Sequence, residues 1–246
     1  MFYPRELLLS WQRNCLTVTN DEASYEVVVV RERINRGMVY KITKQEDSSH
    51  YAPLFRRIDE LLEKKEKITI AIDGNCASGK STLAALLKTM YECSVFAMDD
   101  FFLQPYQRTP ERYAQPGGNV DYERFQVEVL APLLKGVPFS YRQFDCITMT
   151  FREERVTVTP KPLQVIEGAY SLHPYFEKTK TIPKANNPYD LKMLLTIDSD
   201  EQRRRLKVRN PEKYERFIQE WMPYENKYLE AFDIAKKCDM IFHVEG

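Results

Sequence analysis

This 246-residue chain is poor in glycine, with 8, and in histidine, with 3. It also has no net charge: Lys+Arg and Asp+Glu both number 36. That balance argues against broad electrostatic binding to nucleic acid or to an anionic membrane surface. No apolar run approaches the ~20 residues of a membrane-spanning helix. The start, Met1 to Ser10, has an apolar patch but neither a basic beginning nor a long apolar core, so it is not expected to act as a signal peptide. Five scattered cysteines, Cys15, Cys76, Cys93, Cys146 and Cys238, make no C-x-x-C pair, which argues against a zinc site or a disulfide framework. A reducing cytoplasm is the expected compartment. The histidines His50, His173 and His243 have no ligand spacing, and there is no internal repeat or low-complexity tract.

The few glycines are placed tellingly. Gly74, Gly79, Lys80 and Ser81 fill every fixed position of G-x-x-x-x-G-K-S/T within Gly74-Asn75-Cys76-Ala77-Ser78-Gly79-Lys80-Ser81-Thr82. The context suits a phosphate-binding loop. Lys67 to Ile72 is a short, β-branched apolar run of the kind a buried parallel strand needs. Ser81 to Met90 reads as a helix with Leu83, Leu86 and Leu87 on one face. Glycines let the backbone wrap a polyphosphate closely, and the helix N-terminus adds its positive end. Lys80 would reach the β- and γ-phosphates, and the Ser81 hydroxyl would hold Mg²⁺.

From Ile68 onward, strand and helix patterns alternate: Ser94–Met98, a helix over Tyr122–Leu134, Leu163–Ile166, Leu191–Ile197, charged helices over Glu201–Arg209 and Glu212–Glu230, and Asp239–Phe242. That alternation predicts an α/β fold with a mostly parallel sheet covered by helices on both faces. Ser140–Phe144 and Arg155–Thr159 suggest a hairpin arm. Residues 1–66 differ in character: Tyr25–Val30 and Met38–Thr43 read as a hairpin across Asn35-Arg36-Gly37, Gln45–His50 as a linker, and Pro53–Lys65 as an amphipathic helix. This appendage to a nucleotide domain at 67–246 is read as a structural add-on or a dimer contact rather than a second active site. A homo-oligomer is therefore compatible with the chain.

Asp99 and Asp100 end the second core strand, where ligands of open α/β sheets bind. A carboxylate there can accept a proton from a hydroxyl attacking phosphorus, or hold Mg²⁺ through water. An ordinary strand-to-loop cap is the competing explanation. Asp198 is read as a cap of the helix that follows it.

Lys80-Ser81, then Met98-Asp99-Asp100-Phe101-Phe102, then Val165-Ile166-Glu167-Gly168, then an Arg-rich helix resemble, in order over residues 67–246, the uridine kinase and phosphoribulokinase family. Nicotinamide riboside kinases and bacterial pantothenate kinases look like relatives. The resemblance implies a three-layer P-loop fold with a parallel five-stranded core. It implies transfer of the ATP γ-phosphate to a hydroxyl of a small-molecule acceptor, most often a nucleoside such as uridine or cytidine. It places the catalytic aspartate at Asp99, an acidic residue that positions Mg²⁺ at Glu167, and a ribose-binding aspartate at Asp121, which could equally cap the helix at Tyr122. Asp100 stands where uridine kinases carry Ser and nicotinamide riboside kinases carry Asp. Tyr141-Arg142-Gln143-Phe144-Asp145 resembles a base-stacking patch, with Tyr141 and Phe144 as its aromatics, although the histidine expected after it is missing. Arg205 and Arg209, one turn apart, would close over the γ-phosphate as a lid, while Arg203, Arg204 and Lys207 face solvent. Alternative acceptors are nicotinamide riboside, pantothenate or a sugar phosphate, and the alternative class is a non-catalytic ATP-binding regulatory protein. No N-K-x-D segment is present, which disfavours a GTPase.

Overall fold

A computed structural model describes the backbone of 8–12, 15–20, 23–34, 37–43 and 178, and residues 50–177 and 187–244 in full. The chain divides into two compact units, Met1–Glu60 and Leu61–Gly246.

In the first unit, β1 (Leu8–Gln12), β2 (Cys15–Asn20), β3 (Ala23–Ile34) and β4 (Gly37–Thr43) form an antiparallel four-stranded sheet in sequential order. The hairpin expected from the sequence is β3–β4, with Ile34 opposite Gly37. β1 and β2 were not legible, because each is a short run whose partner supplies most of its stabilisation. Asn35, Arg36 and the 45–49 linker lie outside the described residues. The amphipathic helix α1 (Ala52–Lys64) crosses the boundary between the units, with Leu54, Ile58 and Leu61 buried.

The second unit is built on β5 (Ile68–Gly74), β6 (Cys93–Ala97), β9 (Leu163–Glu167), β10 (Leu191–Ile197) and β11 (Met240–Val244). They form one five-stranded sheet in the order β11-β10-β5-β9-β6, with every neighbouring pair parallel. β5 and β9 are buried throughout, as continuous apolar runs in a parallel sheet require. β5 is central, so its carboxyl end opens at the middle of the sheet, where open α/β sheets hold ligands. Helix α2 (Lys80–Met90) leaves that end through the glycine loop.

Helix α3 runs over 122–134 in three pieces, Tyr122–Phe125, a π turn Gln126–Leu130, and Ala131–Leu134. A second π turn, Phe217–Trp221, leads into a helix with Pro223 in its first turn, as Pro132 stands in the first turn of Ala131–Leu134. A proline has no N–H for the carbonyl four residues back, and a π turn absorbs that break. The antiparallel arm is β7 (Phe139–Asp145) with β8 (Thr150–Val158). The core under it is strongly aromatic: Phe96, Phe101, Phe125, Tyr141, Phe176 and Tyr228 are all buried in one cluster.

Candidate functional site

The glycine loop connects β5 to α2 with the backbone its sequence demands. A Cβ at Gly74 (φ +138°) would lie 2.0 Å from the Leu195 carbonyl oxygen, so no side chain fits against β10 there. At Gly79 (φ +91°) a Cβ would meet no atom within 4 Å; the left-handed backbone, not crowding, selects glycine there. Lys80 is buried and donates Nζ to the Gly74 and Asn75 carbonyls at 2.8 and 2.7 Å, folded along the loop it is expected to serve.

Two further strand ends come to this loop. Ser81, exposed in the first turn of α2, donates Oγ to Glu167 Oε1 and Oε2 at 3.1 and 3.2 Å. Glu167 ends β9 and is buried. Its carboxyl is pushed up to about 7, chiefly by burial and then by the neighbouring Asp99 charge, against the pull of Lys80 and the Ser81 hydrogen bond. Asp99 lies in the one-turn helix Met98–Phe101 that follows β6. It is exposed, yet the protein packed around it raises its pKa; Asp100 adds to the rise, and Lys80 and Arg209 oppose it. Asp99 and Lys80 both bear on Glu167, and Lys80 and Arg209 both bear on Asp99.

The oxygen donors at Ser81 and Glu167 suit a hard cation such as Mg²⁺. Among the described residues, no group of three or more Asp, Glu, His or Cys side chains is arranged to hold a metal unaided. Such an ion would therefore complete its shell with phosphate oxygens and water, as Mg²⁺ ordinarily does.

The remaining expected residues occupy the β6 end and the arm. Asp100 is 5 % exposed, and its Oδ2 accepts from Gln143 Nε2 at 2.9 Å and from the Tyr141 hydroxyl at 3.5 Å. Asp121 caps α3, accepting the Arg124 amide at Oδ1 and Gln107 Nε2 at Oδ2. Tyr141 is 3 % exposed and stacks on Phe101 with 5.4 Å between centroids, while buried Phe144 meets Phe151 edge-on. Arg124, unremarked in the sequence, holds this region together. It donates to the Asp100 and Arg142 carbonyls at 2.6 and 2.8 Å, and its guanidinium lies 4.1 Å from the Phe101 ring centre. Arg112 does the same for the Gly117-Gly118 loop, donating to the Gly118 and Val120 carbonyls and pairing in bidentate fashion with Glu123.

Helix α4 (Ser199–Arg209) starts at Asp198, whose side chain accepts the Asp200 amide as its cap. Arg205 is half-buried and paired with Glu201; Arg209 is exposed, as are Arg203, Arg204 and Lys207. Arg204 and Arg205 together hold the Glu201 carboxyl well below its usual range, at about 2. Gln202 from the same helix, and Glu225, Asn226 and Tyr228 from α5 (Met222–Ala231), reach the glycine loop or the strand before it. Tyr228 donates its hydroxyl to Asp73 Oδ2, and Asp73 also accepts the Gly74, Tyr170 and Leu172 amides. An acid-glycine pair at the end of a strand was the one sign of Asp73 in the sequence. His173 is buried, stacks on Tyr122 at 4.2 Å, and is held neutral by burial, with its pKa lowered to about 4. Its place is in the core.

A structure named as a possible uridine kinase, from Bacillus stearothermophilus, matches 77 % of this chain and 99 % of its own length at 22 % identity, with a TM-score of 0.50. A Saccharomyces cerevisiae protein, described as a P-loop containing kinase with a circular permutation, matches 81 % and 99 % of the two chains at 13 % identity, with a TM-score of 0.53. The fold is that of a P-loop kinase. No family model matches the sequence, and neither does any curated protein. Among the described residues of this P-loop kinase fold, no helix is long and apolar enough to cross a membrane.

Proposed function

We propose that the chain is an ATP- and Mg²⁺-dependent small-molecule kinase that transfers the γ-phosphoryl group to a hydroxyl of a metabolite, a nucleoside such as uridine or cytidine foremost. The observation that carries this reading is Asp99. It stands just past the end of β6, exposed, and within the field of Lys80 and Arg209.

In this reading Lys80 and the loop amides of 74–82 hold the phosphates, apart from the Gly74 and Cys76 amides, which Asp73 and Glu225 hold. Mg²⁺ at Ser81 and Glu167 would neutralise charge on the β- and γ-phosphate oxygens. Asp99 takes the proton of the acceptor hydroxyl as the new O–P bond forms and the bond to the ADP oxygen breaks. Its raised pKa suits a group that must accept that proton. Arg205 and Arg209 meet the charge spreading over the equatorial oxygens and help exclude water. Asp100 and Asp121 belong to the acceptor side. Phosphoryl transfer asks mainly for positioning and charge neutralisation, and these groups supply both.

A second acceptor class draws support from one observation. Tyr141 is buried, stacked on Phe101 and tilted against Phe96, and Phe144 is buried edge-on to Phe151, so neither is exposed to stack on a base. This favours a kinase of the same fold acting on pantothenate or a sugar phosphate, with nicotinamide riboside as a further alternative. The deciding experiment is an ADP-release screen over uridine, cytidine, nicotinamide riboside, pantothenate and sugar phosphates. No stimulation by any of them would sink the kinase reading in favour of an ATP-binding regulatory protein.

A further inference from the structure

Cys76, third residue of the glycine loop, is gripped from two helices. Its amide donates to Glu225 Oε2 at 2.8 Å, while its carbonyl and thiol accept Gln202 Nε2 at 2.9 and 3.2 Å. Glu225 is 6 % exposed and Gln202 3 %. Neighbouring α5 residues extend the grip, with Asn75 Nδ2 bonded to Asn226 Oδ1 at 2.9 Å and Asp73 to Tyr228. Helix α5 thus reaches three positions in and beside the loop.

The loop needs such support. Ala77, directly after Cys76, has φ +62°, a left-handed conformation unfavourable for a residue with a Cβ. Such a backbone persists where its surroundings over-determine it, and here both the N–H and the C=O of the preceding residue are fixed. A carboxylate beside a polyphosphate site is electrostatically unfavourable for anion binding, so a positional role accounts for it better than a charge role. Its unfavourable charge is also muted: burial pushes the Glu225 carboxyl up to about 7, and Lys80 is the chief counterweight.

We propose that Glu225 is a positioning residue of the phosphate loop, its carboxyl oxygen fixing the Cys76 amide so that the loop is shaped for phosphate before nucleotide arrives. This rests on the loop being a nucleotide site, as the proposed function has it. Because α4 carries Arg205 and Arg209, Gln202 joins the base of the arginine helix to the same loop residue.

The test is calorimetric titration of the full chain with ATP·Mg²⁺, which needs no knowledge of the acceptor. Glu225→Met keeps the length and helix compatibility of the side chain and removes the acceptor oxygen; it should weaken ATP binding roughly tenfold, as loss of one buried hydrogen bond would. Glu225→Gln keeps an acceptor oxygen without the charge and should restore wild-type affinity. Unchanged or tighter binding by Glu225→Met overturns the proposal; tighter binding would mark the carboxylate as a competitor of phosphate. Equal weakening by Glu225→Gln overturns it as well, in favour of a charge effect. Amide exchange of Cys76 in the nucleotide-free wild type tests the contact even if Glu225→Met fails to fold: slow exchange, retained in Glu225→Gln, is expected, and exchange at the rate of an open loop refutes it. Failure of the wild type itself to bind ATP would refute the nucleotide site, while the exchange rate would still decide whether Glu225 holds the loop.

Discussion

The Tyr228 hydroxyl donates to Asp73 Oδ2 at 2.7 Å, joining the last long helix to the strand that leads into the glycine loop across 155 residues of sequence. Both residues are fully buried. Tyr228→Phe keeps the ring and removes one of the donors to Asp73, which should cost on the order of 1–3 kcal/mol. A thermal melt should show a drop of several degrees. An unchanged melting temperature would mean that Asp73 does not need this donor.

Lys80→Ala removes the ammonium now resting on the Gly74 and Asn75 carbonyls. It should abolish tight ATP binding and turnover together, measured by titration and by ADP release. Undiminished turnover would contradict the phosphate-loop reading.

Asp99→Asn is nearly isosteric and lies outside the loop. ATP binding should persist while phosphoryl transfer falls by roughly 10²–10⁴, the usual contribution of a general base. Full activity in this variant would remove Asp99 from the mechanism.

Glu167 sets a pH dependence. Its carboxyl is raised from 4.5 to about 7 in the folded chain, so the folded state holds this proton more tightly than the unfolded one. The stability it contributes is complete below about 4.5 and lost as pH rises through 7. In EDTA, Glu167→Gln should therefore melt above the wild type at pH 8, by on the order of 3 kcal/mol in stability. The two should agree at pH 4. With ATP present at pH 8, added Mg²⁺ should raise the wild type more than it raises Glu167→Gln. Identical pH profiles for the two proteins would show that Glu167 carries no such proton.

Arg209 acts on Asp99 from the exposed face of α4. Arg209→Gln should lower kcat roughly 10²-fold with little change in the KM for ATP, since its partner charge develops in the transition state. Arg203→Gln, on the solvent side, serves as the control and should leave kcat unchanged. Equal effects from the two would reduce the arginine helix to a general positive field.

The five parallel strands were legible in the sequence, because each is a short apolar run ended by a turn or a polar residue. So were the loop and its helix, since glycine spacing is a local property of the backbone. The acceptor side was less legible. Asp121 has both oxygens engaged by Gln107 and the Arg124 amide, and Tyr141 lies in the aromatic core. An aspartate before a helix and an aromatic-rich strand look the same in sequence whether they face a ligand or a core. Arg124 gave no signal at all, because a lone arginine in a helix is ordinarily a solvated one.

By itself the sequence determined the phosphate loop, the strand ends at Asp99 and Glu167, and the order in which they come. Hydrophobic periodicity and glycine backbone freedom act over a few residues and can be read there. Only the tertiary structure decided what surrounds the loop. Gln202 and Glu225 meet Cys76 from 126 and 149 residues away, through hydrogen bonds of their side chains. Such contacts have no period and no spacing; they exist because parallel strands bring every carboxyl end to one edge of the sheet and the later helices close over it.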